Sequence, residues 1–269
     1  AAETCMRWLK ETPMSHIKNH FDPDLQWGCE RYAYFDKYMV TMGSWAAIAA
    51  RFADGAPLTA ADDPRYGAFV SAEKFHIVCL TAGDYSAQFD YNADLHYDTD
   101  GLGRLHRRGA PTQICMSTPC AQNPTYSTEM TNSQALAFVP IAHDPLSFVD
   151  AGSTADSAWA RWRLGSLDWC CRLSDEGLFS ELKGCGELAM KLPAFAFDGE
   201  KGTKISLSGN VLRVSYQGWM CVYETNGRIF DVGQVCCNRN GRYRVFEACG
   251  KDALEVRVTI KKKENISDE

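Results

Sequence analysis

From about residue 66 onward the chain is a succession of short β-branched and aromatic runs, each broken by Gly, Pro, Asn or Asp, with no long helix between them. FHIVCL, YSAQFDY, TQICMS, ALAFVPI, AWARWRL, WCCRL and ELAMKLP all have the length and make-up of strands. Parallel neighbours need a crossover of roughly a dozen residues or more, usually helical, so this texture predicts antiparallel pairing. KISLSGNVLRVSYQG carries a Gly209-Asn210 connection and WMCVYETNGRIFDV carries Asn226-Gly227, and both are hairpin signals. RYRVFEA and LEVRVTI close the series as two further alternating strands. The expected fold is mainly β, a large antiparallel β-sandwich of on the order of ten strands or more.

The beginning of the chain reads differently. Between Cys29 and Ala53, apolar residues fall at Tyr32, Phe35, Met39, Met42, Trp45 and Phe52, the three-and-four spacing of one buried helix face. Gly55 and Pro57 follow as a stop signal, and a shorter helix is predicted near residues 2–10. Residues 1–57 are therefore expected to be a helical segment, the end of a larger helical domain, and residues 58–269 the antiparallel β-sandwich domain. The opening AAETCMRWLKETP has no initiator Met and reads as the middle of a helix, so a fragment or a processed product is expected.

A chain of 269 residues, 45% of them hydrophobic, has material for a sizeable core. Its net charge of −6 argues against a general nucleic-acid binder, because no Lys/Arg excess is present to displace counterions from phosphates. No apolar run approaches the roughly 20 residues that span a bilayer, so neither nucleic acid nor membrane is an expected partner. The 12 cysteines include no Cys-x-x-Cys, and Cys170-Cys171 and Cys236-Cys237 are adjacent pairs, poorly placed for chelation or ordinary bridging. Many sit where a strand would carry Val or Ala, which predicts buried, reduced thiols and favours a reducing cytoplasm. Nucleophile-elbow, phosphate-loop, dinucleotide and zincin motifs are all missing from the sequence.

Titratable chemistry concentrates in NADLHYDTDGLGRLHRRG, residues 92–109, read as a long loop between the strands YSAQFDY and PTQICMS. Loops of that length inside compact domains tend to be functional or disordered, and Leu95, Tyr97, Leu102 and Leu105 argue against disorder by offering anchors to a core. Asp94, Asp98 and Asp100 come first; Arg104, His106, Arg107 and Arg108 form a cationic second half. Arginine forks suit carboxylates and sulfates, although Asp–Arg pairing within the loop is an equal alternative. Asp94, His96 and Asp98 occupy alternate positions, so a strand would bring all three to one face as ligands for a divalent cation, zinc or calcium. A second constellation, SHIKNHF, places His16 and Asn19 in a loop, and Tyr34 lies off the apolar stripe of the long helix. Arg239, Arg242 and Arg244 around Asn240-Gly241 read as solvated, and PAFAFDGE reads as a strand end with aromatic packing.

A helical head running into a large sandwich, with YAYFDKYM, the NADLHYD-to-GLGRLHRRG stretch and PAFAFDGE along it, resembles the C-terminal part of heparinase II/III-like polysaccharide lyases. That resemblance implies the last helices of an (α/α) toroid followed by the sandwich, with the active site between them, so the rest of a toroid domain is an expected partner. It implies β-elimination at a uronic acid in acidic polysaccharide, possible on a glycosaminoglycan, with no cofactor required and with a structural divalent metal as an alternative use of the Asp94, His96 and Asp98 set. His106 or His96 would serve as base or carboxylate ligand and Tyr97 or Tyr34 as proton donor. Arg104 and Arg107, with His16 and Asn19 from the helical side, would bind the substrate's anionic groups. The alternative is a non-catalytic sandwich module that holds anionic glycans.

Overall fold

The computed structural model describes residues 65–71, 75–92, 100–111, 113–114, 138–142, 144–197, 202–238 and 241–263. Every element among them is a strand, and every pairing is antiparallel, so the fold is mainly β as the run of short apolar segments requires. The helical segment expected over 1–57 lies outside the described residues.

Two sheets make up the molecule. The smaller is a meander of β1 (Tyr66–Val70), β2 (Ile77–Ala82), β3 (Tyr85–Asp90) and β4 (Gly101–Arg107), in that order. The larger contains β5 (Ser147–Ser153), β6 (Ala158–Leu164), β7 (Leu167–Ser174), β8 (Gly177–Phe197), β9 (Lys204–Ser208), β10 (Val211–Tyr216), β11 (Trp219–Thr225), β12 (Arg228–Asn238) and β13 (Gly241–Lys262). Its strand order is β5-β6-β7-β8-β13-β11-β10-β9, with β12 also paired to β13. The small sheet lies over the β5–β7 side of the large one.

Side-chain alternation decides what lies between the sheets. Val78, Leu80 and Ala82 of β2, and Tyr85, Ala87 and Phe89 of β3, point inward and are buried. They meet Trp162 of β6 and Trp169 of β7, which face each other in register with ring centroids 4.8 Å apart. Phe89 is fully buried, its ring 4.5 Å from Trp162 and 5.9 Å from Trp169. Such aromatic contacts add about 0.5–1.5 kcal/mol each beyond area burial. Trp169 donates its indole N–H to Ser180 Oγ at 2.8 Å, which keeps a polar atom satisfied inside the core.

A polar clasp also joins the sheets. β13 runs past the start of β8, since their pairing ends at Val258↔Leu178, so Ile260 has no β8 partner. The Tyr85 hydroxyl takes that place: it donates to Ile260 O at 2.8 Å and accepts from Ile260 N–H at 3.0 Å. The Arg107 guanidinium also donates to Ile260 O and lies over the rings of Tyr85 and Trp219.

Three expectations are corrected by the pairing. The second half of the 92–109 stretch is strand β4, bonded to β3, and not loop. Its signal was masked by a bulge at Gln88/Phe89, which lets Leu102 and Leu105 both face inward although an odd step separates them. RYRVFEA and LEVRVTI are one strand, β13, irregular between Lys251 and Ala253, where Asp252 has φ +62°. Asn226-Gly227 is not a hairpin turn: β11 and β12 both pair with β13, end to end along the same edge. A Cβ on Gly227 would lie 2.0 Å from Cys249 O, so that corner requires glycine. The Asn226 side chain accepts from Glu255 N–H at 2.9 Å and so bridges the gap in the ladder.

Candidate functional site

The outward face of the small sheet follows from the same alternation. With Val78, Leu80 and Phe89 turned in, the register sets Gly67, Thr81, Ser86 and His106 in one row across the four strands. Phe69, Cys79, Gln88 and Arg104 form the next row. An open groove of about 670 Å³ lies over this face; Arg65, Phe69, Cys79, Ser86, His106 and Arg108 are among the residues that line it.

His106 is half-buried, and burial lowers its pKa from the ordinary histidine value, against a hydrogen bond to the Ala110 backbone that raises it. The ring is therefore neutral at neutral pH and retains proton-accepting capacity. Burial raises the Cys79 thiol, so it is protonated there. Arg108 lies 3.8 Å from Asp84, an exposed and loose pair. Arg65 forms an ion pair with Asp175. Arg104 is exposed beside the groove, two residues along β4 from His106. Phe69, 64% exposed, gives the face an apolar platform. The groove thus offers a neutral imidazole between guanidinium groups and an aromatic ring, a set able to hold an anionic, partly apolar ligand and to accept a proton from it.

Of the residues singled out in the sequence, His106 and Arg104 share this face. Arg107 points the other way, into the clasp on Ile260. His96, Tyr97, Tyr34, His16, Asn19, Asp94 and Asp98 lie outside the described residues. Among the described residues, no group of three His, Cys, Asp or Glu side chains is arranged to hold a metal ion. Sequence reasoning missed Phe69 and Cys79, which read as core residues until strand parity turns them outward. It also missed His76, which lies beside Tyr91 and Asn92 just past the end of β3. His76 has φ +53°, its Nε2 lies 3.2 Å from Asn92 Nδ2, and its ring meets Tyr91 edge-on at 5.6 Å. Tyr91 in turn stacks on Phe148 of the large sheet at 5.3 Å.

Fold and groove define a two-sheet antiparallel β-sandwich with a cationic, histidine-bearing outer face. No protein-family model matches the chain, and no curated protein matches it. Among solved structures, it is similar to YidC from Thermotoga maritima, with a TM-score of 0.38 and 10% identity over 69% of this chain and 51% of that one. An active YidC insertase with its first transmembrane domain resolved gives 0.37 and 11% identity over 70% of this chain and 41% of that one. The periplasmic domain of Thermotoga maritima YidC gives 0.36 and 13% identity over 68% and 86%. The chain spans about half the length of the first of these structures.

Proposed function

We propose that this chain is the sandwich portion of a polysaccharide lyase that cleaves uronic-acid-containing acidic polysaccharide by β-elimination, with His106 as the base. The observation that carries the reading is the half-buried, neutral His106 set among Arg104, Arg108 and Arg65 on one open face. In that reaction the guanidinium groups hold the sugar carboxylate and stabilise the negative charge that develops on it. The free imidazole nitrogen takes the C5 proton, the C4–O bond breaks, and a C4=C5 double bond forms. The leaving oxygen takes a proton from an acid; Tyr97 and Tyr34 are the proposed donors, and both lie outside the described residues. An open groove suits a polymer, which must lie across the site rather than enter a closed pocket.

A specific observation favours a second reading, a non-catalytic module that holds anionic glycans. Among the described residues of the groove the only phenol is Tyr85, and its hydroxyl is committed to Ile260. The test mixes full-length protein with a panel of uronic-acid polysaccharides and follows the ultraviolet absorbance of the unsaturated product, with binding measured in parallel. Elimination lost in His106→Gln supports the lyase. Binding without any absorbance change, on every polymer, refutes it and leaves the binding module.

A further inference from the structure

Strand parity gives the open groove over the small sheet a shape as well as a set of residues. Gly67, Thr81, Ser86 and His106 stand opposite one another in register, so one row crosses all four strands. Glycine has no side chain, and those of Thr81 and Ser86 are short and exposed. The row is therefore the floor of a trough that ends on the taller His106 ring. The next row, Phe69, Cys79, Gln88 and Arg104, runs along one side. Arg65 and Arg108 stand along the other, beside the β2–β3 turn, where Gly83 N–H donates to Arg65 O and Arg108 N–H to Asp84 O. Four strands set about 4.8 Å apart make a floor about 14 Å long, room for about three sugar rings lying across the strands.

The two ends of the trough differ in chemistry. At the β4 end His106 lies between Arg104 and Arg108, and Asp84, the one carboxylate among the lining residues, holds Arg108 only at 3.8 Å. At the β1 end the Arg65 guanidinium is taken up by Asp175, and the Tyr66 hydroxyl donates to the same carboxylate oxygen at 2.9 Å. What that end offers a ligand is the ring of Phe69, 64% exposed, with the protonated Cys79 thiol opposite it in register. A single exposed aromatic is ordinary on a protein surface. One at the far end of a groove whose other end is cationic is a platform for the apolar C–H face of a sugar.

We infer that the trough seats an oligosaccharide across the four strands, with the reacting uronate at His106 and the ring about three sugars away stacked on Phe69. The inference rests on the reading of His106, Arg104 and Arg108 as the uronate site. Phe69 is then the residue that selects for length, through the apolar face of a ring and without regard to its charge. A disaccharide reaches only the cationic end, whereas a hexasaccharide reaches both. The ends also respond differently to salt, because ions screen the arginine–carboxylate contacts and leave ring stacking in place.

The test is surface plasmon resonance with the protein immobilised, so that flow renews any ligand consumed, using di- and hexasaccharides of galacturonic acid and of hyaluronan. Wild type, Phe69→Ala and Phe230→Ala are compared at low and high salt. Phe230 is 43% exposed on β12 of the large sheet and does not line the groove, so its removal controls for the loss of a surface aromatic. Neither change opens the core, since both rings are exposed. Wild type and Phe230→Ala should bind the hexasaccharide about tenfold more tightly than the disaccharide, and keep that ratio at high salt while both affinities fall. Phe69→Ala should lose most of the ratio and keep the disaccharide affinity. Equal wild-type affinities for the two lengths, a ratio that collapses in salt, or one that Phe69→Ala leaves unchanged overturns the trough and leaves the uronate site standing. Wild type that binds neither length of either sugar overturns the inference through the reading on which it rests.

Discussion

Replacing Tyr85 by Phe removes one oxygen atom and tests how the sheets are joined. That hydroxyl is buried on a residue 2% exposed, and it makes both the 2.8 Å bond to Ile260 O and the 3.0 Å bond from Ile260 N–H. The two losses differ in kind. Ile260 O keeps the Arg107 guanidinium, so its loss is that of an ordinary bond, about 0.5–1.5 kcal/mol. Ile260 N–H has no strand partner on that side, because the β8 ladder has already ended, and a stranded buried donor costs about 1–3 kcal/mol. Together these give about 2–4 kcal/mol. With a urea slope of about 2 kcal/mol/M, the unfolding midpoint should fall by about 1–2 M at unchanged slope. Tyr91→Phe is the control, because the Tyr91 contacts are those of its ring, and it should stay within about 0.5 kcal/mol of wild type. A Tyr85→Phe midpoint equal to that of Tyr91→Phe would refute the reasoning, since Ile260 would then be satisfied without the phenol.

Other perturbations give equally definite outcomes. Phe89→Ala opens a cavity against Trp162 and Trp169 and should cost about 3–5 kcal/mol in urea unfolding; a loss under about 1 kcal/mol would mean the sheets close over the gap. Gly177→Ala combines φ +130° with a Cβ 2.3 Å from Val258 O and should cost about 2 kcal/mol or more, whereas Gly209→Ala, at φ +61° with open space around it, should cost about 1 kcal/mol. For His106, burial lowers the folded pKa, so the unfolded chain takes up the proton first as pH falls. The stabilising contribution of the neutral ring is intact above about 6.5 and is lost as pH falls through the lowered folded value. The acidic limb of any wild-type elimination rate should likewise lie below about 6.5; a limb above that value would exclude this imidazole as the base.

Local pattern and register account for what the sequence could tell. AWARWRL is β6 to the residue, because its alternation is unbroken and both neighbours are close in the chain. Gly209-Asn210 joins β9 and β10 in a tight hairpin, with Val211 opposite Ser208. Asn226-Gly227 carries the same local signal, yet the flanking strands have a stronger distant partner in β13, and the dipeptide becomes a corner. β4 was read as loop because Gly101 and Gly103 suggest turns and a bulge breaks its alternation. The candidate site was legible only as a cationic stretch. Which arginines face the groove depends on a single-residue parity that the bulge resets, and so Arg104 stands beside His106 while Arg107 turns to Ile260.

The position of β13 has a consequence for how the protein is made. It is the latest of the described strands to leave the ribosome, yet it lies at the middle of the large sheet, between β8 and β11. Leu178 meets Val258 only after the whole of β9 to β12 has been synthesised. Until then the longest apolar strands of the sheet have open edges, each a template for pairing with another chain. Loop closure over such separations is slow, so the nascent sheet is exposed to association for most of its synthesis. A stop codon ahead of Gly241 would not merely trim an edge. It would remove the strand on which both halves of the sheet depend, and leave a product fit chiefly for aggregation.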